Sequence, residues 1–68
     1  MFEVPVPHDW VGKSVGHLNI RKKYGINIIG VTREGRLELS ISTETVLEQE
    51  ETMLVLGRYR ELQRCFRI

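Results

Sequence analysis

The chain has 68 residues, of which 41% are hydrophobic and 28% are charged, and its net charge at pH 7 is +1. This composition is typical of a globular domain, and no apolar run approaches the roughly 18 residues of a membrane span. So small a net charge provides no broad cationic surface, so we expect no binding to nucleic acid.

One cysteine, Cys65, excludes an internal disulfide and is compatible with a reducing compartment. The N-terminus lacks the charged start and the apolar stretch of a signal peptide. We therefore expect a cytoplasmic location without direct insertion into a membrane. Apparent structure begins at the second residue, which favours a single domain, residues 1–68, taken from a longer chain.

The first predicted element is a strand at the edge of a sheet. Apolar residues alternate from Phe2 to Val6 with the two-residue period of a half-buried strand. Pro5 and Pro7 lack the N–H donors that a central strand uses, so the strand is predicted at an edge.

A helical region follows the strand. Ser14 is predicted to cap a helix whose inner face carries Val15 and Leu18, although Gly16 lowers the helix propensity. The segment "NIRKKYG" predicts a further helical turn that ends at Gly25, because glycine readily adopts the left-handed conformation found after helices.

The rest of the chain predicts three strands and a second helix. The segments "INIIGVTR" and "LELSI", joined by "EGR", predict a hairpin, and "TMLVLG" predicts a buried strand. The polar turn "STETVLEQEE" lies between them, with Val46 and Leu47 predicted beneath the sheet. The segment "RYRELQRCF" predicts an amphipathic helix with four inner residues: Tyr59, Leu62, Cys65 and Phe66.

The element order is therefore strand, helix, three strands, helix. This order predicts an α+β fold, a small two-layer sandwich with a mainly antiparallel sheet. A domain of this length buries only about 60% of the surface of its unfolded chain, so we expect it to be homodimeric.

Residues with catalytic or metal-binding chemistry are few and dispersed. His8 and His17 have no further cysteine or histidine at ligand spacing, and Cys65 lies on the apolar stripe of the last helix. No glycine-rich phosphate loop is present. We therefore expect no enzymatic activity, no metal and no cofactor. Trp10 is interpreted as a cap on the core in preference to a ligand-stacking platform.

The most informative stretch is "IRKKYGINIIGV", residues 20–31, in which three adjacent cations precede an apolar run that holds Asn27. Lys22 and Lys23 are interpreted as a solvated helix end that complements the helix dipole. Arg21 and Asn27 lie on either side of the glycine stop, so we expect their side chains to converge. A guanidinium offers a planar fork to phosphate, and a carboxamide offers both a donor and an acceptor.

These motifs together resemble the C-terminal lobe of regulator-of-potassium-conductance domains, called the TrkA-C or RCK-C domain. The resemblance covers nearly the whole chain and includes "GKS" at 12–14, "IR" at 20–21, "YG" at 24–25 and "LVLG" at 54–57. Two places differ from the family pattern. Glu50 and Glu51 replace a common Gly-Asp pair, and His17 replaces an acidic residue of the first helix.

The resemblance implies a regulatory domain that forms homodimers in cytosolic subunits or tails of potassium channels and transporters, at the inner face of the cell membrane. In the KtrA-like group this lobe binds cyclic di-AMP at its dimer interface. The resemblance places the ligand-binding arginine and asparagine of the family on Arg21 and Asn27. It places apolar ligand-facing positions at or near Val15, Ile20, Ile26 and Ile28, and the rim of the pocket at residues 41–43.

Two alternatives remain open from the sequence. The first is a pure dimerisation or assembly module without a small ligand, in which Arg21 and Asn27 satisfy carbonyl groups at the interface. The second is a sensor of divalent cations or of another small ligand that uses Glu48 to Glu51, although a run of glutamates is more typical of a solvated surface.

Overall fold

The computed structural model describes every residue from Met1 to Ile68. One antiparallel sheet, in the order β1-β4-β2-β3, contains β1 (Phe2–Pro5), β2 (Asn27–Arg33), β3 (Arg36–Glu38) and β4 (Thr52–Leu56). The helices are α1 (Val15–Leu18), α2 (Ile20–Tyr24) and α3 (Tyr59–Phe66), and a short 3-10 helix covers His8–Trp10. The predicted α+β fold and element order are confirmed, and β1 lies at an edge. None of the helices is long and apolar enough to cross a membrane.

A single apolar core lies between the helices and one face of the sheet. Nine buried residues form it: Val4, Trp10, Ile20, Ile26, Val31, Leu47, Met53, Val55 and Leu62. Trp10 is 9% exposed and its ring meets Phe66 edge to face, with 5.4 Å between the centroids. This contact confirms Trp10 as a cap on the core.

The first two helices are separated by a left-handed residue. The Ser14 hydroxyl accepts a hydrogen bond of 3.1 Å from the backbone N–H of His17, as expected of a helix N-cap. Asn19 then takes a positive φ of 52°, and α2 starts anew at Ile20 and ends at Gly25, as predicted. The sequence indicates both ends of this region but not the break within it.

The hairpin is tighter and shorter than predicted. A two-residue turn, Glu34 and Gly35, joins β2 to β3, and both residues have positive φ, as the preferred hairpin turns require. Pairing ends where Glu38 lies opposite Val31. The predicted extension of the second strand to Ile41 is therefore wrong.

The alternating leucines of that segment mark the outer face of the sheet. Leu37 and Leu39 are 52% and 62% exposed, and they cover Gly30, since a Cβ at Gly30 would lie 3.0 Å from each side chain. Leu54 pairs with Gly30, and Leu56 follows two positions later on the same face. We call these four residues, Leu37, Leu39, Leu54 and Leu56, the outer leucine face.

Two predicted core residues lie at the surface instead. Val46 is 41% exposed because neighbouring residues of an extended segment point to opposite sides, and Leu47 takes the buried side. Tyr59 is 57% exposed because it lies at the first turn of α3. Its ring contacts that of Phe2, with 5.8 Å between the centroids.

The other inner residues of α3 pack as predicted. Leu62 is fully buried, and Cys65 and Phe66 pack against the core. Burial, with a smaller contribution from the nearby Glu61 carboxylate, raises the pKa of the Cys65 thiol above its ordinary value. Cys65 therefore behaves as a small apolar residue more than as a nucleophile.

The acidic turn before β4 is held by Glu51. One of its carboxylate oxygens accepts a 2.9 Å hydrogen bond from the backbone N–H of Glu48, and the other lies 2.9 Å from Nε of Arg33. The Nε–H of Arg33 is not directed at that oxygen, so the contact is ionic. No group of three or more candidate metal ligands occurs in the structure. The Glu51 carboxylate thus holds the turn together.

Glu50 takes the left-handed conformation, with φ of 69°, at the position where the family pattern has glycine. This conformation costs a residue with a Cβ about 1–2 kcal/mol. We expect Glu50→Gly to raise the free energy of unfolding by up to about 1 kcal/mol after the added entropy of the unfolded chain is subtracted.

Urea unfolding measures this change. The matched control is Glu44→Gly, at an exposed turn residue without a positive φ, which we expect to be neutral or destabilising. Equal effects of the two substitutions would contradict the argument from strain.

Candidate ligand-binding site

A cleft of about 710 Å³ opens where α1, α2, the start of β2 and the loop after β3 meet. Its volume lies within the range of small-molecule sites. Among its lining residues are all six that the sequence indicated: Val15, Ile20, Arg21, Ile26, Asn27 and Ile28. The loop residues Ile41 to Thr43 complete the rim, as expected. The structure therefore brings the proposed ligand-binding residues together in one cleft.

Arg21 and Asn27 are two of the polar residues that line this cleft. Arg21 is the second residue of α2 and Asn27 is the first residue of β2, and both are exposed. Neither side chain makes a hydrogen bond or an ion pair within the chain. Their donors are therefore available to an external anion.

The apolar lining divides into buried and accessible residues. Ile20 and Ile26 are 2% and 1% exposed, so they belong to the core and form only the floor of the cleft. Val15, Ile28 and Ile41 are half-buried and present apolar surface to the opening. Direct contact of Ile20 and Ile26 with a ligand stays a prediction.

One wall of the cleft depends on Gly16. Its N–H donates a 2.8 Å hydrogen bond to the carbonyl of Thr43, and a Cβ at Gly16 would lie 2.9 Å from both this oxygen and the Thr43 Cβ. The preceding N–H, of Val15, donates to the carbonyl of Thr45 at 2.8 Å. The sequence indicates Gly16 only as a weak point in a helix, because the contact with residue 43 is distant along the chain.

The electrostatic character of the cleft is positive. Arg21 and Lys22 both line it, and none of its lining residues is acidic. Lys22 was interpreted from the sequence as a solvated residue, and Asn19 was not singled out, yet both line the cleft. The cleft combines cations and amides with apolar surface, which suits an anion with flat apolar parts. It contains no histidine, cysteine or carboxylate that would act as a general acid or base.

The chain is a small α+β domain with one sheet. A cleft lined by both polar and apolar residues lies beside its first two helices. The family model of the TrkA-C domain matches residues 1–68, and the chain therefore belongs to the TrkA-C family. The resemblance indicated by the sequence motifs is confirmed.

Related proteins share this fold closely. The RCK C domain of the potassium transport protein KtrA, solved in complex with cyclic diadenosine monophosphate (c-di-AMP), is 30% identical with a TM-score of 0.87, over 94% of this chain and 75% of that one. The RCK_C domain dimer of S. agalactiae BusR in complex with c-di-AMP is 26% identical with a TM-score of 0.82, over 94% of this chain and 82% of that one.

Among sequences, Ktr system potassium uptake protein A of Bacillus subtilis (strain 168) is 29% identical over 52 residues, which cover 76% of this chain and 23% of that protein. The chain spans about a quarter of the length of the curated relatives that it matches.

The tight contact at Gly16 leads to a prediction about the cleft. We expect Gly16→Ala to lower the free energy of unfolding by about 1–3 kcal/mol, because the added methyl group displaces the backbone of Thr43. Urea unfolding measures the loss, and amide chemical shifts at residues 41–45 report the displacement.

The matched control is His17→Ala, at the next, exposed position of the same helix. We expect this substitution to change stability by less than about 0.5 kcal/mol. A Gly16→Ala domain as stable as the control would refute the close packing of helix and loop.

Proposed function

We propose that this chain is a regulatory, non-catalytic domain that binds c-di-AMP at a two-fold dimer interface and thereby controls a potassium transport protein. The observation that carries the proposal is the placement of Arg21 and Asn27, both without partners in the chain, above an apolar floor in a cleft that lacks acidic residues. The two solved relatives described above hold this ligand, which supports the same chemistry here.

The symmetry of the ligand fits a dimer. A two-fold axis presents each residue twice, and c-di-AMP has two equivalent phosphates and two equivalent adenines. Two Arg21 side chains would neutralise the two phosphate charges through charge-assisted hydrogen bonds, which are about twice as strong as neutral ones. One short segment of sequence thus supplies a complete site.

The remaining lining suits the adenines. Val15, Ile28 and Ile41 offer half-buried aliphatic surface on which a purine face can lie. The carboxamide of Asn27 offers a donor and an acceptor, which match a phosphate oxygen or an adenine edge. The ligand would therefore contact Arg21 and Asn27 at its polar parts and the aliphatic residues at its flat faces.

The surface beside the cleft favours a second copy of the chain. β3 pairs only with Val31–Arg33 of β2, so the segment from Asn27 to Gly30 has no strand partner on that side. Leu39, on the outer leucine face, is 62% exposed and precedes the rim residue Ile41 by two positions. A partner at this edge would cover Leu39 and bring a second cleft close to the first.

Regulation then follows from a difference in affinity. A ligand shifts a conformational equilibrium only as far as it binds one conformation more tightly than the other. In the proposed function, c-di-AMP favours one arrangement of the two domains, and the attached transport protein, at the cytoplasmic face of the membrane, responds to that arrangement.

A pure dimerisation module is the second candidate function. The exposure of Leu37, Leu39 and Leu56 favours it, because a contiguous apolar surface on a small domain is typical of an interface and needs no ligand. Under this candidate, Arg21 and Asn27 contact carbonyl groups of the partner chain.

Arg21→Ala distinguishes the two candidates. We expect it to weaken c-di-AMP binding, measured by calorimetry, by at least about 100-fold, because two charged hydrogen-bonding groups are lost per dimer. The dimer itself, measured by sedimentation, should persist. The matched control is Lys23→Ala, which removes the same charge from α2 outside the cleft. Loss of the dimer with Arg21→Ala would favour the dimerisation module.

Leu39→Glu tests the position of the dimer interface. We expect a shift toward monomer, because burial of an unpaired carboxylate at an interface is strongly unfavourable. Sedimentation equilibrium measures the shift, and Leu37→Glu reports how far the interface extends along β3. A Leu39→Glu domain that dimerises like the original chain would place the interface elsewhere.

A further inference from the structure

A second cavity, of about 290 Å³, shares no residue with the cleft described above. Three basic side chains line it: Lys13 from the turn before α1, His17 from α1 and Lys23 from α2. Trp10 and Tyr24 are also among its lining residues. Three separate segments of the chain therefore bring basic groups to one concave surface.

The charges around this cavity are unbalanced. Asp9 is its one acidic residue, and it opposes two lysines. None of these three side chains makes an ion pair or a hydrogen bond within the chain. The basic groups thus have no internal counter-charge beyond the single Asp9 carboxylate, and their donors are free.

We propose that this basic cavity binds a small dianion: a phosphate or sulfate group, free or at the end of a small phosphorylated molecule. Lysine ammonium groups on one concave surface can donate charge-assisted hydrogen bonds to the oxygens of a compact anion. The volume is roughly ten times the 30 Å³ that one water occupies in the liquid, so the anion and several attached atoms fit. The net charge of +1 provides no extended basic surface for a polyanion.

Trp10 provides a local reporter, since it is the only tryptophan in the chain and lines the cavity. We expect its fluorescence to change saturably with sodium sulfate, with a dissociation constant on the order of 1 mM. Sodium chloride at equal ionic strength should give no comparable change. Sulfate is the probe because it carries both negative charges at neutral pH.

The basic residues are tested by substitution. Lys13→Ala combined with Lys23→Ala should weaken sulfate binding at least about tenfold, because each charged hydrogen bond contributes appreciably. Arg60→Ala removes an exposed cation that lines neither cavity, so it is the matched control and should leave the affinity unchanged. Asp9→Asn should strengthen binding about threefold or more by removing the opposing charge. A gain of affinity cannot result from unfolding.

Three results would overturn the proposal: a fluorescence change that sulfate and chloride produce equally, an affinity that the double lysine variant retains, or an affinity that Asp9→Asn lowers. The inference does not depend on the proposed c-di-AMP site. Binding there is measured through Arg21, which lies outside this cavity.

Discussion

Two buried isoleucines hold the polar groups of the cleft in place. Ile20 and Ile26 are almost completely buried, and each is followed directly by an exposed polar residue, Arg21 and Asn27. Because the backbone of a buried residue is fixed by packing against the core, the next residue leaves the core in a defined direction. The crowding of isoleucine, arginine and asparagine in this stretch therefore has a structural cause: the core orients the cleft.

Association and ligand binding would reinforce one another in this domain. Its core contains nine residues, and its outer leucine face remains uncovered in the single chain. A ligand that contacts two chains stabilises the dimer by mass action, and a stable dimer in turn presents a complete site. A domain with a small core has a small free energy of folding and of dimerisation. Ligand binding can therefore change the fraction of dimer appreciably.

The features that the sequence predicts correctly are those that local interactions determine. Ser14 as a helix cap, Gly25 as a helix end and the edge position of β1 follow from single residues and their neighbours, and all are confirmed. The early end of β3 and the role of Gly16 depend on contacts between segments distant in the chain, and pattern alone could not predict them. The family resemblance supplied six of the cleft residues and the rim at residues 41–43, but not Gly16, Asn19 or Lys22. It also did not indicate the burial that separates Ile20 and Ile26 from the accessible residues.

Isothermal titration of the purified domain with c-di-AMP, with cyclic di-GMP and ATP as controls, tests the proposed c-di-AMP site. We expect saturable binding at one ligand per two chains, absent from both controls, because one symmetric ligand would contact both copies of Arg21. Binding of one ligand to each chain would contradict the shared site. Absence of heat together with an unchanged melting temperature would contradict c-di-AMP recognition itself.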